Sequence, residues 1–235
     1  MEIRNPRSMD FYATSVLPNC NPPSFLREKY WKPTQRPCYG SFDDAPGLNS
    51  SLRMSLPLLI SIIVGKWYSP FMFIKEEGSV KNQMKKSLFY KITLERYWEE
   101  IYSEENRGDG GDIVTVNTDI GREVYSLAGL IAQRVSGHVV GFDGFMFMVR
   151  NQNTGGVGLS SALLDGMKGI QKEGGWVDGA DSSVKVEKVV KMNSQLKRFC
   201  CYVLVESFVS RRTDGSTVLN CDFRHTQWIK TKWES

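Results

Sequence analysis

Hydrophobic positions along the chain fall into short runs with strand or helix spacing, separated by turn-forming clusters. Ile62–Val64 and Phe71–Ile74 flank Ser69-Pro70, and the second run is apolar at consecutive positions, as in a strand buried on both faces. Val80, Met84 and Leu88 recur every fourth residue and predict a short helix. From Phe89 to Tyr102, Tyr90, Ile92, Leu94, Trp98 and Tyr102 alternate as strand residues do, while Leu94, Trp98 and Ile101 also suit a helix. The aromatic and β-branched residues of its first half favour the strand. Ile113–Val116 predicts another short strand. Val124, Leu127, Ala128, Ile131 and Val135 then form a helical stripe with Gly137 as its stop, the alternative being a strand through Ile120–Leu127.

Phe145–Val149 is a second two-faced apolar run. Leu159, Leu163, Met167 and Ile170 share a helical face, with Ser160 or Ser161 as the cap and Gly174-Gly175 beyond the end. Val184 and Val186 alternate as in a strand. Phe199–Val209 is apolar on both faces, Thr213–Ser216 is a hairpin turn in which Asp-Gly supplies the positive φ angles, and Val218–Ile229 is the return strand. Leu219, Cys221, Phe223, His225 and Ile229 share one face of that strand; Asn220, Asp222, Arg224 and Thr226 share the other. The expected fold is α+β: mainly antiparallel sheet with two or three helices on one side. Phe-Met-Phe occurs at 71–73 and at 145–147, each soon after Val-Gly. Either a duplicated strand–helix–strand–strand unit, with halves 62–137 and 138–235, or coincidence accounts for this. Residues 1–50 hold seven of the nine prolines and no periodicity, which predicts an irregular arm ahead of a single domain over 51–235. Phe25, Tyr30, Trp31 and Tyr39 give that arm something to pack with.

Composition narrows the class. Of 235 residues, 41% are hydrophobic and 24% charged, as in ordinary globular chains, and a net charge of +4 is too small to single out nucleic acid as a partner. No apolar run reaches the ~20 residues of a transmembrane helix. Glu2 and Asp10, with no apolar core between Met1 and Ser15, argue against a secretory leader. The five cysteines are odd in number, form no Cys-x-x-Cys pair and have only His138 and His225 to join them. That argues against a metal site and for a reducing compartment, cytoplasmic and/or nuclear. Arg107-Gly108-Asp109 and the sequon Asn49-Ser50-Ser51 then read as chance matches.

Candidate chemistry is sparse. No nucleophile elbow, phosphate loop or dinucleotide fingerprint occurs, and no cofactor is called for. Glu206 interrupts an apolar strand face, and Asp222 and His225 lie on the neighbouring strand, so these three are the only candidates for an enzymatic site, with a structurally satisfied cluster as the simpler account. Gly155-Gly156-Val157-Gly158 precedes a helix whose free N–H groups could hold an anion, although a connecting loop is favoured. Gly141-Phe142-Asp143-Gly144-Phe145-Met146-Phe147 is a weak match to an RNA-recognition strand. Lys185, Lys188, Lys191, Lys197 and Arg198 make a basic stretch, either a solvated face or a contact for nucleic acid through residues 185–198. Lys66, Trp67 and Tyr68 sit before Ser69-Pro70 at a predicted strand edge, either as core or as a binding hot spot, with core favoured.

Several blocks carry a resemblance. Gly47-Leu48-Asn49-Ser50-Ser51-Leu52-Arg53 is followed by Ile63-Val64-Gly65-Lys66-Trp67-Tyr68-Ser69-Pro70-Phe71-Met72-Phe73-Ile74-Lys75-Glu76, by Leu94-Glu95, and by Trp98-Glu99-Glu100-Ile101. The match returns at Lys197-Arg198-Phe199, Cys201-Tyr202-Val203-Leu204-Val205-Glu206, Asp214-Gly215-Ser216, Phe223-Arg224-His225-Thr226, Ile229-Lys230 and Lys232-Trp233-Glu234. Over roughly residues 40–235 the chain resembles a plant family of uncharacterised proteins, domain of unknown function 1262, whose members extend further at the N-terminus. Ser69 stands where that family is expected to carry a cysteine, which weakens any thiol role there. The resemblance implies a plant source and a nuclear-encoded soluble protein, and it implies no activity. The preferred expectation is a non-catalytic protein that binds another macromolecule, most simply a protein partner.

Overall fold

The computed structural model describes residue 45 and residues 61–105, 113–134, 144–150, 156–179, 183–191 and 197–234. Eleven strands and two helices follow in order: β1 (Ile62–Pro70), a 3-10 turn at Phe71–Phe73, β2 (Ile74–Lys75), α1 (Val80–Lys86), β3 (Phe89–Glu105), β4 (Ile113–Gly121), β5 (Glu123–Leu127), β6 (Leu130–Arg134), β7 (Phe145–Val149), β8 (Val157–Ser160), α2 (Ser161–Glu173), β9 (Ser183–Lys191), β10 (Arg198–Arg211) and β11 (Thr217–Glu234). Nine strands form one antiparallel sheet in the order β1-β3-β10-β11-β5-β6-β7-β8-β2, and β4 with β9 forms a separate two-stranded ribbon. The outermost strands, β1 and β2, are joined through only the three residues of the 3-10 turn. Pro70 and Ile74 therefore lie at most about 14 Å apart, and the sheet must curl until its two edges meet there.

The central strand β10 explains the layering. Phe199, Cys200, Cys201, Tyr202, Val203, Leu204 and Val205 are all buried, so both faces of this strand need a cover. On one side the ribbon lays Val114, Val116, Ile120 and Val186 on Phe199, Cys201, Val203 and Val205. On the other, Trp98 and Ala45 pack with Cys200, Tyr202 and Leu204. Farther along that same side, Leu163, Leu164 and Met167 of α2 join Phe208, Leu219, Cys221, Phe223 and Trp67 in the main core. Cys200 and Cys201 thus enter different cores, as adjacent strand residues must.

Register breaks let long strands serve both layers. Leu204 pairs with His225, but Val203 pairs with Ile229, so Thr226, Gln227 and Trp228 are inserted into β11. An odd insertion reverses side-chain parity. Ile229 and Trp233 consequently pack on the ribbon side, whereas His225 faces α2. The expectation that His225 and Ile229 share a face is corrected by this insertion.

The expected α+β class is overturned. Of the described residues, 66% are in strands and 16% in helices, a mostly antiparallel, sandwich-like fold with two helices. The helix expected over Val124–Val135 is the β5–β6 hairpin, in which Leu127 faces Leu130 across Ala128-Gly129. Both turn residues have positive φ, 49° and 80°, the geometry of a tight turn matched to strand twist. The Phe-Met-Phe repeat has no common structure: residues 71–73 form the 3-10 turn and residues 145–147 lie in β7. The helix expected through Val80, Met84 and Leu88 ends at Lys86, and its apolar stripe is turned outward, with all three residues exposed. Gln83 is the buried residue. Its two amide N–H groups are shared among the Phe71 carbonyl, the Ile74 carbonyl and the Tyr90 hydroxyl, which helps satisfy the irregular backbone after β1. The other expected helix exists, but neither Ser160 nor Ser161 caps it with a side-chain bond, and Ser161 Oγ instead donates to Gly144 O at 2.7 Å. In the β10–β11 turn only Gly215 has positive φ, so Asp214 does not share that conformation. The arm over 1–50, apart from Ala45, together with Arg107-Gly108-Asp109, the sequon and Gly141–Asp143, falls outside the described residues.

Two stability outcomes follow from this packing. Trp67 is buried, its ring 5.7 Å from that of Phe208 and lying where a Cβ on Gly65 would collide with it. Trp67→Ala should cost roughly 3–5 kcal/mol in a urea titration; a variant as stable as the parent would contradict a core role. Ala128 is exposed and holds a left-handed conformation that suits asparagine or glycine better. Ala128→Asn should stabilise by about 1 kcal/mol, read as a raised Tm.

Candidate functional site

The side chains nominated by the sequence are divided by the sheet. Arg96 on β3 faces Glu206 on β10 directly across the ladder, on the α2 side. Its guanidinium donates to Glu206 Oε1 through Nε at 2.7 Å and Nη2 at 2.6 Å. Gln171, in the last turn of α2, donates through Nε2 to Glu206 Oε2 at 2.9 Å, and its Oε1 meets His225 Nε2 at 2.8 Å. Because the amide nitrogen is committed to Glu206, the amide oxygen must accept, so Nε2 of His225 carries the proton. His225 Nδ1 is then the acceptor facing Gln227 Nε2, 3.4 Å away in the β11 insertion, and Gln227 Nε2 also donates to Gly175 O at 2.5 Å.

All four central members of this network are buried, with Gln171 and His225 wholly so. The nearest approach of His225 to Glu206 is 4.0 Å. Burial is the main influence on the imidazole and pushes its pKa down to about 4; the nearby Glu206 acts against this and Arg96 with it. A neutral imidazole shut inside the protein, with its protonated nitrogen already donating to an amide, is a structural group rather than a base awaiting substrate. Arg96 and Gln171 are the partners that sequence reasoning did not assign to Glu206.

Asp222 takes no part. It lies on the ribbon side of β11, where Ser207 Oγ donates to its Oδ1 at 2.5 Å and the ion pair of Arg224 with Glu99 is its neighbour. Burial raises its pKa, opposed by the Ser207 bond and by Arg224. The proposed grouping of Glu206, Asp222 and His225 is therefore split between two faces.

The other candidates also have structural explanations. Lys66, Trp67 and Tyr68 are buried in edge strand β1, with Tyr68 edge-on to Phe89 and Lys66 above the Tyr68 ring. The basic stretch is not one surface. Lys185 is paired with Glu187 at 2.6 Å, Lys188 is half-buried beside exposed Glu187 and Val189, and Arg198 bridges Glu100 and Glu234; Lys191 and Lys197 are exposed. Of the candidate anion loop, Gly155 falls outside the described residues, Gly156 precedes strand β8 and Gly158 lies within it. Cβ atoms there would press on Met148 O and on the Phe147 ring, so these glycines serve close strand packing. Cys200, Cys201 and Cys221 are free and buried, and burial raises all three thiol pKa values, Cys200 to about 11, which makes them poor nucleophiles.

A concave site occurs elsewhere. A cleft of about 440 Å³ lies between β5–β6 and the segment around the end of α2, with Arg122, Arg134, Lys168, Tyr125, Ile131 and Trp176 among its walls. Register explains part of this wall. Tyr125 pairs with Ala132, so Glu123, Tyr125, Ala132 and Arg134 share one face of the hairpin. Lys168 Nζ is 2.6 Å from Glu123 Oε1, whose other oxygen accepts from the Tyr125 hydroxyl at 2.6 Å. Trp176 is buried edge-on against Phe223 at 5.1 Å. Sequence reasoning missed this site because its cations are scattered over residues 122–168 with no local pattern. Recognising 123–134 as a hairpin was the one signal that could have brought Arg122 and Arg134 together.

Among the described residues, no group of three or more histidine, cysteine or acidic side chains is placed to hold a metal ion, and no helix is long and apolar enough to cross a membrane. No family model matches the chain, and no curated protein matches it significantly. Among solved structures, that of Cry35Ab1 is similar at 10% identity and a TM-score of 0.39, over 74% of this chain and 46% of that one. The chain thus spans slightly under half the length of that protein.

His225 generates a pH prediction. Its pKa falls from 6.5 when unfolded to about 4 in the fold, so the unfolded chain takes up a proton first as pH drops. The stabilisation is complete above about pH 6.5 and is lost on acidification through pH 4. It amounts to up to about 3 kcal/mol for this group. Urea titrations across pH 7 to 4, with the imidazole followed by NMR, should show this decline and an imidazole that titrates near the lower end.

Proposed function

We propose that this chain is a non-catalytic binding protein of the plant family that its sequence resembles, acting on a macromolecular partner in the cytoplasm or nucleus. The observation that carries the reading is the closed Arg96–Glu206–Gln171–His225 network. Of the carboxylate–imidazole pairings considered from the sequence, the one among the described residues, Glu206 with His225, is buried, internally satisfied and separated by the sheet from Asp222. A catalytic base needs reach to a substrate proton, and His225 has no exposed surface. The three buried free thiols support a reducing compartment. The family assignment is supported by the sequence blocks from Gly47 to Glu234 and brings no activity with it.

The reading is tested by a broad screen for hydrolase and transferase turnover on the parent chain and on His225→Asn. The expected result is no turnover that depends on His225. Turnover lost in a His225→Asn variant that keeps the parent's near-ultraviolet circular dichroism would overturn it.

A further inference from the structure

The cleft beside α2 contains two guanidinium groups that the protein leaves uncompensated. Its walls carry three cations, Arg122, Arg134 and Lys168, and two carboxylates, Glu123 and Asp178. Lys168 is spent on Glu123, and Asp178 is spent on Lys172 at 3.0 Å. Arg122 and Arg134 remain. Among the described residues the side chain of Arg134 is exposed and makes neither an ion pair nor a hydrogen bond, and the side chain of Arg122 has one bond, from Nη1 to Val177 O at 3.0 Å. The buried Nε of Arg122 and the buried indole Nε1 of Trp176 have no acceptor. Both residues line the cleft, although these two atoms are themselves closed off from solvent.

Arg122 is also held in place. Its guanidinium lies against Gly179, where any side chain would come within about 3.0 Å of Nε and Cζ. The Arg122 carbonyl accepts from Arg224 N at 2.9 Å, which fastens the β4–β5 connection to β11. The remaining walls are apolar and aromatic: Tyr125, Ile131, Ala132 and Trp176. A space of about 440 Å³ is in the range of small-molecule sites and too small for a nucleic-acid duplex.

We infer that this cleft binds a small organic oxyanion, a carboxylate or phosphate ester on an apolar body, with Arg122 and Arg134 taking the oxyanion and Tyr125, Ala132 and Trp176 the body. Guanidinium groups suit both heads, because their parallel N–H pairs match two oxygens of either. The inference goes beyond the reading of the chain as a protein that binds a macromolecular partner and does not depend on it.

Isothermal titration of the full chain with phenyl phosphate, phenylacetate, inorganic phosphate and benzyl alcohol tests it. Phenyl phosphate or phenylacetate should bind at least about tenfold more tightly than neutral benzyl alcohol, as expected for charged hydrogen bonds, and the stronger of the two identifies the head group. Arg134→Gln should weaken that binding about tenfold without moving Tm, since Arg134 is exposed, while Lys191→Gln, at the opposite end of the ribbon from Arg122, should leave it unchanged. Binding of neither organic anion, or binding insensitive to Arg134→Gln, would overturn the inference. Inorganic phosphate binding as tightly as phenyl phosphate would overturn the role given to the apolar walls. None of these failures touches the non-catalytic reading, which depends on the turnover screen.

Discussion

Strand β10 has no wet face, and the layers of the protein follow from that constraint. A strand buried on both sides at Phe199 to Val205 requires two independent covers. The chain supplies them from distant segments: a ribbon made of residues 113–121 and 183–191 on one side, and α2 with Trp98 and Ala45 on the other. Neither cover is stable by itself. An isolated two-stranded ribbon is marginal in water, and a helix of thirteen residues needs an apolar surface to hold it. The sheet and its covers therefore stabilise one another.

The buried ion pair belongs to this arrangement. Arg96 and Glu206 occupy the α2 side of the sheet between the Trp98–Leu204 packing and the Phe208–Phe223 packing. A buried pair of this kind adds less stability than its Coulomb attraction suggests, because both ions are desolvated, but loss of one partner is costly. Gln171 satisfies the second carboxylate oxygen and links it to His225, so the end of α2 is tied by polar bonds to β10 and β11. This gives the helix one defined position on an otherwise apolar surface, a role that needs no solvent access and no substrate.

What the sequence disclosed was mostly local. Two-faced burial of Phe199–Val209, the turn at Thr213–Ser216 and the helix through Leu163 and Met167 were legible, because each depends on periodicity or turn chemistry within a few residues. The class was misjudged at Val124–Ile131, where a spacing of three or four apolar residues coincides with two short strands folded at Ala128-Gly129. Alanine gives no warning of a left-handed turn. The α1 stripe failed differently: Gln83, not Met84, is drawn inward by carbonyls that become available only once the chain leaves β1. The cleft was invisible because Arg122, Arg134, Lys168 and Trp176 converge only through the completed sheet.

The insertion at Thr226–Trp228 shows why reading β11 as one alternating strand broke down. A regular strand of this length would hold His225 and Ile229 on a single side and confine β11 to one core. Three extra residues exchange the faces, so the first part of the strand completes the α2 core through Leu219, Cys221 and Phe223, and the last part completes the ribbon core through Ile229 and Trp233. The inserted Gln227 then reaches Gly175 O and approaches His225, so the residues that cost ladder hydrogen bonds supply a polar contact at the end of α2. The irregular point of the sheet is thus the point at which its two layers and its helix are coupled.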